Sequence, residues 1–86
     1  MDMKNLVEVL LFASPEPLTQ TRFSYILQDN DSVKLPLIID ELNTEYENSG
    51  KGLKIQKIGG GYQILSHPEY HVFIERLFKK TRKLQI

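Results

Sequence analysis

LKIQKIGGGYQIL, residues 53–65, is the stretch from which this sequence is best read. Leu53 and Ile55 alternate with Lys54 and Gln56, and Tyr62 and Ile64 alternate with Gln63, the two-residue period of half-buried strands. Gly59, Gly60 and Gly61 stand between the runs, where a tight turn needs positive φ. The stretch therefore predicts a two-stranded hairpin, with a bulge at Lys57–Ile58 where alternation breaks. An isolated hairpin is marginal in water, so this one has to pack on something.

The flanking sequence supplies helices. On the N-terminal side Met3, Leu6, Val7, Leu10 and Leu11 recur at i, i+3, i+4 and cover about 140° of a helical wheel. Val9 and Phe12 fall outside that arc, so this first helix is apolar on more than one side; another element or another subunit covers Phe12. Ser14-Pro15-Glu16-Pro17 ends it. Thr19 is placed as the N-cap of a second helix, with Leu18 and Phe23 as a hydrophobic staple and Phe23, Ile26 and Leu27 on its buried side. After the Asp29–Ser32 turn, a third helix tolerates Pro36 in its first turn, buries Ile38, Ile39, Leu42 and Tyr46, and ends at Gly50. Beyond the hairpin, Ser66 and Glu69 are spaced as a capping box for a fourth helix with Tyr70, Phe73, Ile74, Leu77 and Phe78 as its expected buried positions. Three helices, a wing hairpin and a C-terminal helix make an α+β winged helix-turn-helix, with residues 1–80 as the domain.

Eighty-six residues allow one small domain. An apolar share of 41% with clear periodicity argues against a disordered chain. The absence of cysteine excludes a disulfide scaffold, a thiol nucleophile and thiolate zinc. The longest uncharged apolar run, residues 9–13, is far short of the ~20 needed to span a bilayer, and no secretory signal opens the chain; a soluble intracellular domain is expected. Eleven cations balance eleven carboxylates, yet they are segregated. Residues 1–49 carry Lys4, Arg22 and Lys34 against nine carboxylates, net −6, and residues 50–86 carry eight cations against Glu69 and Glu75, net +6. A chain so polarised can set unlike charges against a partner or a second copy of itself.

A winged helix that reads DNA puts basic side chains of its third helix into the major groove. Here that helix offers Lys34 against Asp40, Glu41, Glu45 and Glu47, which phosphates repel. Lys51, Lys54 and Lys57 near the wing and Lys79, Lys80, Arg82 and Lys83 at the chain's end are candidate contacts for a phosphate or an acidic partner surface. His67, His71 and Glu75 have metal-like spacing, but His67 precedes Pro68 at a cap and no H-E-x-x-H pattern surrounds them. The glycine triplet is not followed by the lysine and hydroxyl of a phosphate loop, the paired carboxylates lie on a solvated helix face, and no serine has a nucleophile-elbow context. Neither an enzyme nor a cofactor site is expected.

LLFASPEPL (residues 10–18), DELNTEYE (40–47) and GGGYQILSHPEY (59–70) together resemble the segregation and condensation protein B family of bacteria, in order and over nearly the whole chain. The resemblance implies the first of two tandem winged-helix domains, with residues 81–86 beginning a basic linker to a second domain that this chain does not contain. It implies a non-enzymatic, cytoplasmic and nucleoid-associated scaffold that forms homodimers. It further implies binding to the kleisin called segregation and condensation protein A, and through it association with the ATPase of an SMC (chromosome-maintenance) complex. No membrane partner is expected, and DNA contact by this domain is expected to be weak. Val9 and Phe12 are the expected self-association surface. The competing expectation is a regulator that contacts DNA through wing and basic tail.

Overall fold

In the computed structural model, which describes the backbone of residues 1–84 and the side chains of residues 1–79, the elements follow in the order α1, α2, α3, β1, β2, α4. α1 (Met3–Ala13) starts at Asp2, whose carboxylate accepts the Lys4 N–H at 2.8 Å, and stops at Ser14 before the two prolines. Val7 and Leu11 are buried, with Met3, Leu6 and Leu10 packed around them. α2 (Gln20–Leu27) is capped by Thr19, whose hydroxyl oxygen accepts the Arg22 N–H at 3.0 Å, and Leu18 and Phe23 are both buried, as the staple requires. Ile26 differs from expectation: it is exposed, because the short α2 turns Phe23, Ser24 and Leu27 inward instead.

α3 (Leu35–Ser49) carries the largest share of the core: Leu35, Ile38, Ile39, Leu42 and Tyr46. Lys34, at its N-cap position, contributes no side-chain cap. Gln20 of α2 does so from a distance: its amide oxygen accepts the Leu35 N–H at 2.7 Å, and its amide nitrogen donates to the Val33 carbonyl at 2.9 Å and the Ser24 hydroxyl at 3.0 Å. One side chain thus fixes the angle between the two helices of the turn motif. Gly50, at φ +66°, closes α3.

β1 (Leu53–Ile58) and β2 (Gly61–Ser66) pair antiparallel in unbroken register from Leu53 opposite Ser66 to Ile58 opposite Gly61. The expected bulge at Lys57–Ile58 is absent; the turn consists of Gly59 and Gly60 alone, so the register needs no extra residue. Gly61 belongs to β2. Its neighbour Tyr62 exchanges two backbone hydrogen bonds with Leu18, at 2.8 and 2.9 Å, so the α1–α2 connection forms a one-residue third strand. On the other side, Asn43 of α3 grips Ile55 through both of its backbone groups, at 2.8 and 2.9 Å. The wing is therefore tied to the helices at both edges, and Ile55 completes the core.

Two further expectations fail beyond the hairpin. No capping box forms at Ser66 and Glu69: a 3-10 turn, Pro68–Tyr70, intervenes with His67 at its cap position and no side-chain cap bond. α4 (His71–Leu84) does not bury the residues its period marks as a core face. Phe73 and Phe78 are 60% and 64% exposed, and Tyr70, Ile74 and Leu77 are exposed as well. The molecule measures 51 × 29 × 26 Å, and its long axis exceeds the others by about the ~21 Å length of a fourteen-residue helix.

Candidate protein-interaction surface

Three surfaces present chemistry. The first is the solvent side of α3. Asp40, Glu41, Thr44, Glu45, Glu47 and Asn48 are all exposed on it. Lys4 of α1 reaches across to form an ion pair with Glu45, which holds the lysine's pKa above its ordinary value through the hydrogen bond and the carboxylate's charge. That pair leaves the face anionic. In a DNA-reading winged helix this side enters the groove, and carboxylates there carry the wrong sign.

The second surface is the scatter of cations. Lys51 sits with its ammonium 5.4 Å from the centre of the Tyr46 ring, at the end of α3 and away from the wing tip. Lys54 and Lys57 project to opposite faces of β1, since successive strand residues alternate and the register is unbroken. Lys79 pairs with Glu75 at 3.1 Å on the surface of α4. The side chains of Lys80, Arg82 and Lys83 lie outside the described residues. The wing lysines thus present no single basic patch.

The third surface is apolar. Val9 and Phe12, 60% and 85% exposed, stand on the side of α1 opposite Val7 and Leu11; none of the described residues covers them. Glu8 and Asn5 flank them and line an open cleft of about 520 Å³ between α1 and the last turns of α3, together with Glu45, Tyr46, Asn48 and Lys51. At its floor the Tyr46 hydroxyl donates to the Glu8 carboxylate, and burial followed by that bond raises the phenol above its ordinary pKa. A buried tyrosine locked to a carboxylate braces α1 against α3. Sequence reasoning missed a further exposed apolar surface, the Phe73, Ile74 and Phe78 side of α4, because periodicity marks an apolar side without saying whether the same chain covers it. Tyr25 and Leu37 are exposed as well, outside the stripes of α2 and α3.

Among the described residues, His67, His71 and Glu75 do not come together, and no group of three histidine or carboxylate side chains could hold a metal. Nor is any described helix long and apolar enough to cross a membrane.

Comparison with known proteins bears on these surfaces. The family described as segregation and condensation complex subunit ScpB matches residues 5–86. Segregation and condensation protein B of Symbiobacterium thermophilum is 38% identical over 84 residues, covering 94% of this chain and 37% of its own. The chain spans about two fifths of the length of the curated relatives it matches. The crystal structure of a conserved hypothetical protein from Chlorobium tepidum superposes with a TM-score of 0.76 at 32% identity, over 87% of this chain and 47% of that one. A dimer of an ScpB N-terminal domain complexed with an ScpA peptide shares the fold, with a TM-score of 0.72 at 24% identity, over 87% of this chain and 93% of that one.

Proposed function

This chain belongs to the segregation and condensation complex subunit ScpB family, whose members are non-enzymatic subunits, and from that premise we propose that it works by homodimerising and presenting a surface to a kleisin. The kleisin is segregation and condensation protein A, through which the SMC ATPase is engaged indirectly, in the cytoplasm and on the nucleoid. The related N-terminal domain that is a dimer complexed with an ScpA peptide supports both parts of this reading. Residues 1–80 form the working winged-helix unit, and residues 81–86 lead toward a second such domain in the full-length protein.

One observation of this chain carries the reading: the face of α3 that would meet DNA is lined with exposed carboxylates, while large apolar side chains stand uncovered on α1 and α4. Apolar surface removed from water contributes ~25 cal/mol per Å², so paired phenylalanines reward a protein partner where phosphates would be repelled. Val9 and Phe12 belong to the self-association surface. Light scattering of this chain, alone and with purified kleisin, tests the reading. A dimer that gains the kleisin's mass is expected, and Phe12→Glu should give a folded monomer. A wild-type monomer that ignores the kleisin would overturn it.

A further inference from the structure

α4 carries an apolar stripe that stands exposed among the described residues. At 100° per residue, Phe73, Ile74 and Phe78 fall within about 140° of one another, as wide as the stripe by which α1 packs into the core. The root of this helix is fixed. The Tyr70 ring lies against Gly52 so closely that a Cβ there would come within 2.7 Å of it, and the His67 N–H donates to the Gly52 carbonyl at 2.9 Å. With its root held, α4 points away from its own body.

We infer that α4 is an exchanged arm: in the homodimer, the Phe73–Ile74–Phe78 side of one copy's α4 seats on the exposed Val9–Phe12 side of the other copy's α1. This rests on the homodimer reading above and specifies what holds it together. Charge selects the occupant. His71–Leu84 carries Arg76, Lys79, Lys80, Arg82 and Lys83 against Glu75, so two α4 arms laid on each other would set like charge against like. The half of the chain that contains α1 is net −6, and Glu8 adjoins Phe12 one turn away on the same side of that helix. Tyr25 of α2, another exposed apolar side chain, shares its cleft with Arg22, which opposes a basic arm. Short connections that project an element outward are the usual route to such exchange.

The absence of cysteine makes cross-linking unambiguous. Phe12→Cys and Phe78→Cys chains, mixed and oxidised, should form a disulfide dimer at once, and neither chain alone should do so. Phe73→Glu/Phe78→Glu changes two exposed positions, so its circular dichroism should match wild type while light scattering reports a monomer. A double variant that keeps the dimer mass would overturn the arm and leave the homodimer standing, as would Phe78→Cys linking only to itself. A wild-type chain that is monomeric throughout would overturn both. Should the double variant lose its fold, the mixed-cysteine result decides alone.

Discussion

Gly59, Gly60 and Gly61 are identical in the sequence and different in the structure, and substituting alanine at each separates their roles. Gly61 comes within 2.8 Å of the Leu18 carbonyl oxygen at the position a Cβ would take, and that neighbour is backbone, held by the Leu18–Tyr62 bridge. Gly61→Ala should therefore cost about 1–3 kcal/mol. Gly59 has open space but φ +59°, so Gly59→Ala should cost about 1 kcal/mol through backbone strain. Gly60 has neither constraint, and Gly60→Ala should be neutral within about 0.5 kcal/mol. Urea denaturation of the three variants checks the order; equal losses would show that the bridge to Leu18 is not what fixes Gly61. Tyr46 is a second residue whose environment sets a measurable property. Its phenol is raised above the ordinary 10.0 by burial and by donation to Glu8. The folded chain thus holds this proton more tightly than the unfolded chain. Its contribution is complete below pH ~10 and is lost as pH rises beyond that. Tyr46→Phe should lose about 1–2 kcal/mol near neutral pH and show a shallower alkaline decline in stability.

Among the elements, the α2–α3 pair is held by one side chain to a degree that propensity does not reveal. Gln20 caps α3 at Leu35, bonds the preceding Val33 carbonyl and satisfies buried Ser24. Gln20→Ala should cost about 2 kcal/mol in urea melts, near the upper end for a lost helix cap, because more than one partner is stranded. Gln20→Glu should recover part of this by keeping the acceptor. Elements of this kind mark the limit of reading the chain in one dimension. The first three helices and the hairpin were legible because each signal is local: Thr19 before a short apolar run, Gly50 after a long one, alternation around the glycines. The Leu18–Tyr62 bridge and the Asn43–Ile55 clamp join residues far apart in sequence, so no local pattern announces them. The start of α4 misled for a related reason. Ser66 and Glu69 have the spacing of a capping box, but Ser66 is the last paired residue of β2, and Pro68 takes the chain into a 3-10 turn. As for the candidate surface, Phe12 and Val9 were visible because they break their helix's stripe, and the face of α4 was hidden because it obeys the pattern of a core.

For the molecule as a whole, the division of charge is the organising fact. The negative half folds into the three-helix body, and the positive half forms the wing and the outward helix. Assembly through these halves brings unlike charge together at the margin of an apolar contact, which favours orientation and encounter more than it adds affinity. It also predicts that association weakens as salt screens the charges, while the apolar contact keeps a residual dimer. The same division sets the charge of the face that a DNA-reading winged helix would use: the α3 side offered to solvent belongs to the anionic half. The most direct test is sedimentation of the unmodified chain mixed with excess duplex DNA at moderate salt. The chain should sediment at twice the mass of one copy and leave the duplex behind. A single-copy species travelling with the DNA would contradict the account.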